Sequence, residues 1–167
     1  MTIPAIGVRG LVVVPYRGHT DDAPGTEIQD GGRAASPFGR RGGVGPGGVG
    51  NYLVTGHRTS STRAFEDLPT LRRGDRIVVT TRLARLVYRV VGTRRTSFRS
   101  AASLRAQRAP VPGRPGVAPT RAMITLSTCA TSEDHAAGNY WADEFGNPEH
   151  RIEKIGALVT WTARRAG

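Results

Sequence analysis

The sequence predicts an all-β fold, a barrel or sandwich of about six to eight short strands with little helix. Three observations lead there. Glycine (22) and proline (11) punctuate the 167 residues densely, which favours turns and irregular stretches over a helix bundle. The apolar residues fall in short β-branched runs, and several of these alternate with polar residues as a half-buried strand does. Cys129 is the single cysteine, so no internal disulfide can staple a loop-rich scaffold. A chain of this length is expected to form a single domain, residues 1–167.

Residues 3–14 (IPAIGVRGLVVV) read as the first strand, stopped by Pro15. From residue 16 to residue 50 the pattern lapses. Residues 31–50 hold nine glycines together with Pro37 and Pro46, and read as a long loop, mobile unless it packs on something. Residues 51–55 (NYLVT) form a short buried strand that runs into Gly56, His57 and Arg58. Phe65, Leu68 and Leu71 are spaced by three, which predicts one or two helical turns facing a core over residues 62–71. Gly74 and Asp75 mark a turn, after which residues 76–80 and 86–91 pair as a hairpin across residues 81–85. Residues 101–109 suit a helix, and Pro110, Pro112, Pro115 and Pro119 hold an extended loop behind it. Residues 122–128 (AMITLST) read as a central strand leading into Cys129, residues 130–150 as polar loop, and residues 152–160 as the last strand.

The formal net charge is +11, and every basic residue except Lys154 is arginine. Such a charge permits binding to any polyanion: nucleic acid, an anionic membrane or an acidic cell wall. The arginines are scattered, however, clustering only as pairs such as Arg40-Arg41 and Arg72-Arg73. Aromatic residues make up 6% and do not interleave with the arginines as a base-stacking platform requires. The charge therefore reads as a solvated surface and not as a nucleic-acid interface. A basic nucleic-acid-binding β-barrel with Cys129 in its core is the rival reading. No apolar run approaches the roughly 18 residues of a membrane span, and no basic-then-apolar leader opens the sequence.

Cys129 sits where an apolar strand meets a polar loop, which favours partial exposure over simple core packing. A nucleophilic thiol needs a partner that stabilises thiolate, most often histidine. Of the four histidines, His19 lies in an irregular stretch, and His135 and His150 lie in the polar stretch after the cysteine. His57 alone ends an apolar strand, with Gly56 before it to permit close backbone approach. The five residues between Cys129 and His135 give no standard metal-ligand spacing, and no second thiol supports a metal site. Arg151 precedes the last strand. Antiparallel neighbours there bring its guanidinium to the thiol, where a fixed cation lowers the thiol pKa and holds a developing oxyanion.

Together these residues resemble the sortases. Thr125-Leu126-Ser127-Thr128-Cys129 is similar to the TLxTC strand end of that family, and the segment from Asn51 through Gly56-His57-Arg58 to its strand-to-histidine segment. Arg151 heads a final strand and matches the third member of the family's His-Cys-Arg site; Arg164 and Arg165, beyond that strand, fit worse. Ile3-Pro4-Ala5-Ile6-Gly7-Val8 resembles the first strand of the family, and the spacing of Phe65, Leu68, Leu71, Gly74, Asp75 and Ile77 resembles the stretch after the histidine. The likeness spans nearly the whole chain.

The resemblance implies an eight-stranded β-barrel with one or two short helices and long loops. It implies a transpeptidase in which Cys129 attacks the Thr-Gly carbonyl of a C-terminal sorting signal to form a thioester. His57 protonates the leaving amine and deprotonates the incoming one, Arg151 holds the carbonyl and the oxyanion, and Thr128 assists that oxyanion. An amine of the cell-wall precursor, lipid II, resolves the thioester. No cofactor and no metal are implied, nor is nucleic acid a partner, and the enzyme is expected to be a monomer. Arginine-rich composition points within the family to class E of the actinobacteria. Class D or a pilin-polymerising enzyme is the alternative, the latter disfavoured because the first fifty residues show no clear lid. The expected location is the extracellular face of the bacterial membrane, with an N-terminal membrane helix outside this sequence as the tether.

Overall fold

The computed structural model describes residues 1–164. Its strands are β1 (Val13–Arg17), β2 (Ala34–Phe38), β3 (Gly50–Thr55), β4 (Arg76–Thr80), β5 (Ala84–Ser97), β6 (Ala122–Cys129) and β7 (His150–Ala163). Three short helices join them: α1 (Ala23–Asp30), α2 (Ala101–Arg108) and α3 (Thr131–Ala136). The strands form one sheet in the order β1-β2-β3-β6-β7-β5-β4. The β1–β2 and β3–β6 pairs are parallel, and the other four pairs are antiparallel. The sheet curls because the first residues reach both its edges. Thr2 exchanges two backbone hydrogen bonds with Val78 on β4, and Val12 O then accepts from Ala34 N beside β1. Among the described residues there are seven strands where eight were expected, and three α-helices where one or two were.

Alternation along the strands gives the sheet two unlike faces. Tyr52 and Val54 of β3, Ile124 and Leu126 of β6, and Leu86, Tyr88 and Val90 of β5 point into one buried apolar core. Phe65, Leu68 and Leu71 close that core from the loop after β3. The opposite face is mixed: Met123, Ile155 and Ala157 form a small apolar cluster, and polar side chains beside them meet α2. Asn51 Nδ2 donates to Gln107 O (3.0 Å) and Ala109 O (3.1 Å), and Thr125 Oγ1 donates to Asn51 Oδ1 (2.8 Å). Gln107 Nε2 and Thr96 Oγ1 both donate to Glu153 Oε1, at 2.7 and 2.6 Å, and burial pushes the Glu153 carboxyl above its ordinary value.

Several sequence expectations change in the folded chain. The strand expected over residues 3–14 is a 3-10 turn at Pro4–Ile6 followed by turns, because Gly7 (φ 69°) and Gly10 (φ 64°) reverse the backbone. Strand β1 starts only at Val13 and runs through Pro15, which an edge strand tolerates since its missing N–H faces no partner. The irregular, glycine-rich stretch of residues 16–50 contains α1 and β2, and both alanines of β2 are fully buried. Residues 62–71 do bury Phe65, Leu68 and Leu71, but as turns and a 3-10 segment, Leu68–Thr70; Arg63 at φ 53° is incompatible with a helix. The polar stretch 130–150 includes α3. Lys154, the one lysine, is buried and donates through Nζ to Leu71 O (2.7 Å) and Thr93 Oγ1 (3.0 Å). A compact ammonium fits a niche of that kind where a planar guanidinium does not.

Candidate active site

The site is built from three neighbouring strand ends. In the parallel β3–β6 ladder, Thr55 pairs with Ser127, and Gly56 N donates to Ser127 O one step on (3.1 Å). His57 and Cys129 each follow their pair by two residues, so they leave adjacent strands at one level. In the antiparallel β6–β7 ladder, Cys129 pairs directly with Arg151, and Ala130 N donates to His150 O (3.0 Å) just beyond. Neighbouring strands lie about 4.8 Å apart, and directly paired residues share a face. His57, Cys129 and Arg151 therefore form a row across β3, β6 and β7. Arg151 lies inside β7, because that strand begins at His150, two residues earlier than the sequence suggests.

Close packing fixes the histidine end of the row. Phe65 N donates to His57 O (2.9 Å). A Cβ at Gly56 would sit 2.7 Å from the Phe65 ring, so only glycine lets that ring press under the turn. Thr128 points to the other face from Cys129, and its Oγ1 donates to Gly56 O (2.7 Å). Its hydroxyl is thus occupied in holding the histidine strand to the cysteine strand, not turned toward an oxyanion beside Cys129.

Arg151 is fully buried. Its Nη1 donates to Pro148 O (2.9 Å) and His150 O (3.2 Å), its Nε lies 3.4 Å from Asp21 Oδ2, and its guanidinium stacks 4.0 Å above the centre of the Phe98 ring. Nη2 is buried and has no partner among the described residues. A guanidinium locked on three sides with one free N–H is a preorganised donor. Cys129 is half-buried, and burial pushes its thiol above the ordinary value; Arg151 and Arg58 pull it down, while Asp21 and Asp143 push it up.

Three further residues reach the row, and the sequence reading missed their part in it. His57 Nε2 lies 2.7 Å from Asp30 Oδ1, and Asp30 ends α1. Asp21, at the left-handed φ of 59°, faces Arg151 from the start of the same segment. Arg58 forks onto Glu133 of α3 (Nη2 to Oε1, 2.9 Å) and donates through Nη1 to Cys129 O (3.3 Å), clamping the end of β6. The signal for α1 is present in the sequence: Asp22 caps the helix, accepting from Gly25 N (3.1 Å), and Pro24 occupies its first turn. Gly25 within the helix masks it. The other histidines are engaged elsewhere: His19 Nδ1 is 3.1 Å from Thr20 O, His135 stacks on Tyr140 at 4.8 Å, and His150 Nδ1 is 2.9 Å from Asp134. Among the described residues no three His, Cys, Asp or Glu side chains group as a metal site. Arg165, weighed in the sequence as a late arginine, lies outside the described residues.

Asp21 offers a test of these electrostatics. In Asp21→Asn the negative charge that disfavours thiolate is gone, so the Cys129 thiol falls toward its ordinary value. Iodoacetamide alkylation at pH 7 is expected to quicken about threefold. The gain should vanish at a pH high enough to ionise the thiol in both proteins. An unchanged or slower rate at pH 7 would mean that Asp21 does not act on the thiol.

The family model for the Sortase domain matches residues 1–142, which hold His57, Thr128 and Cys129 and stop short of Arg151. Among solved structures, the chain is similar to the SrtA sortase of Actinomyces oris, at 26% identity with a TM-score of 0.71 over 99% of this chain and 81% of that one. Sortase E1 of Streptomyces coelicolor, solved with a tripeptide in its active site, matches at 22% identity and TM-score 0.72, over 98% and 88%. Sortase E of Streptomyces avermitilis matches at 24% and 0.68, over 99% and 90%. No curated protein matches the chain by sequence.

Proposed function

Since the chain belongs to the sortase family of cysteine transpeptidases, we propose that it cuts a C-terminal sorting signal of LAxTG or LPxTG type between Thr and Gly and joins the Thr carbonyl to an amine of the cell-wall precursor. The observation that carries this reading is the direct pairing of Cys129 with Arg151, one strand over from His57. The Cys129 thiolate adds to the Thr carbonyl carbon. The free Nη2 of Arg151 donates to the oxygen as it becomes an oxyanion. As the C–N bond breaks, His57 gives its proton to the departing Gly amine, leaving a thioester on Cys129. His57 then takes a proton from the incoming amine, which attacks the thioester and releases the thiolate. Thr128 serves by position, tying Gly56 and so His57 to the cysteine strand. Within the family we assign class E, the class of two of the structural relatives above. The protein works as a monomer on the outer face of the membrane, near anionic lipid that suits its charge of +11.

A panel of LAxTG and LPxTG peptides, incubated with an amine and read by product mass, tests the reaction and its signal. Cleavage between Thr and Gly with transfer to the amine is expected. Cleavage elsewhere, or none with any peptide, would overturn it.

Arg151→Lys should lose nearly as much activity as Arg151→Ala, on the order of 100-fold or more in kcat. An ammonium cannot keep the contacts to Pro148, His150 and Asp21 and still present a donor to the carbonyl. A lysine variant within a few-fold of the parent rate would show that charge alone suffices.

A further inference from the structure

We propose that the cavity between the glycine-rich segment and the end of α2 is a second binding site, one that takes a phosphate or diphosphate group. The cavity holds about 420 Å³ and is lined by Arg40, Gly43, Asn51, Arg108, Pro110 and Pro119 among others, with no carboxylate in its wall. Its glycine wall lies away from Cys129, while Asp21, which faces Arg151, also acts on Arg108. Asn51 is the second residue of β3 and His57 follows the strand's end, so that wall lies about 20 Å from His57 at a rise of about 3.3 Å per residue.

Two observations point to an anion. Arg108, the last residue of α2, lines the cavity, and its Nε is buried with no hydrogen-bond partner among the described residues. A buried charged donor left without an acceptor costs free energy that a bound ligand recovers. Second, Arg108 and the exposed Arg40 and Arg41 stand near one another with no carboxylate in direct contact. Burial, and next the nearby charge of Arg41, push the Arg108 guanidinium below the usual arginine range, and Asp21 and Asp22 offset this only in part. Among the described residues no carboxylate comes within 4.0 Å of Arg108, Arg40 or Arg41. Like charges with no carboxylate in contact suit an anion of more than one charge.

The wall is also shaped for close approach by backbone. A Cβ at Gly43 would stand 2.2 Å from Asn51 O, so the segment can lie flat on β3 only with glycine there. The glycines that read as a mobile loop thus form a fixed rim, with Arg40 and Arg41 exposed on it. Arginine forks over a phosphate are the expected recognition mode.

Calorimetric titration of the chain with sodium pyrophosphate, at constant ionic strength, tests the site. One saturable site is expected. Arg108→Gln should weaken it about tenfold or more, and Arg40→Gln and Arg41→Gln a few-fold each. Arg85→Gln, an exposed arginine on β5, should leave it unchanged. If Arg108→Gln does not fold, the double variant of the exposed Arg40 and Arg41 carries the test. No saturation, or an equal loss in Arg85→Gln, would overturn the proposal, since the +11 charge alone would then account for any binding. Vesicles of phosphatidylglycerol and of phosphatidylcholine identify the source. Displacement of pyrophosphate by the anionic vesicles alone assigns the site to a lipid headgroup. Pyrophosphate retained against both assigns it to a phosphate on a soluble molecule, and the site stands in either case.

Discussion

Cys129→Ala is expected to abolish transfer of a sorting-signal peptide to an amine, by a factor on the order of 10⁴ or more. The covalent route has no substitute, because Cys129 is the only thiol in the chain. The neighbouring hydroxyl is engaged: Thr128 donates to Gly56, on the opposite face of β6. Folding should barely change. The thiol is half-buried at the end of β6, so its loss removes one sulfur from packing, and about 1 kcal/mol or less is expected. Product mass and a thermal melt read the two effects separately. Residual transfer near the parent rate would exclude the thioester, and a collapsed melt would show that the thiol is a packing residue.

His57→Ala is expected to remove activity at every pH, to a similar extent. The reacting pair is thiolate and imidazolium, since the first attacks and the second protonates the leaving amine. An ordinary thiol titrates at about 8.5. Burial pushes the Cys129 thiol higher still, against the pull of Arg151 and Arg58. At neutral pH most molecules therefore carry the neutral thiol, and few hold the competent pair. The parent enzyme should turn over slowly, with a bell-shaped pH profile whose limbs belong to the pair. Raising the pH ionises the thiol but supplies no proton to the leaving amine, so alkaline solution cannot rescue the alanine variant. A flat parent profile, or recovery of His57→Ala at high pH, would exclude His57 as the proton carrier.

Asp30 and Asp21 tie His57 and Arg151 to a segment that the sequence made look idle. Helix α1 lies between β1 and β2; its last residue, Asp30, touches His57, and Asp21, two residues before its start, touches Arg151. The sequence reading treated residues 16–50 as irregular because glycine and proline erase periodicity, yet the helix cap at Asp22 and the alanine strand β2 both form there. Sparse side chains hide a segment's structure when its order comes from what it lies against.

Much of the site was legible nonetheless. The apolar runs of residues 122–128 and 51–55 each predicted a strand, and each leads to its chemistry-bearing residue, Cys129 and His57. Phe65, Leu68 and Leu71 were placed in the core by spacing alone, although the backbone there is not an α-helix. What the sequence determined by itself was local: which segments are extended, which side chains are apolar enough to be buried, and that a lone thiol, a histidine and an arginine stand at strand ends. The tertiary structure alone decided how those ends meet. The parallel register of β3 on β6 brings together residues more than seventy apart, and the Asp21–Arg151 contact joins residues 130 apart. Period-two patterning fixes the face on which a side chain lies but not the strand that lies beside it. That choice depends on burying the whole apolar face of the curled sheet at once, a property that no local stretch of sequence contains.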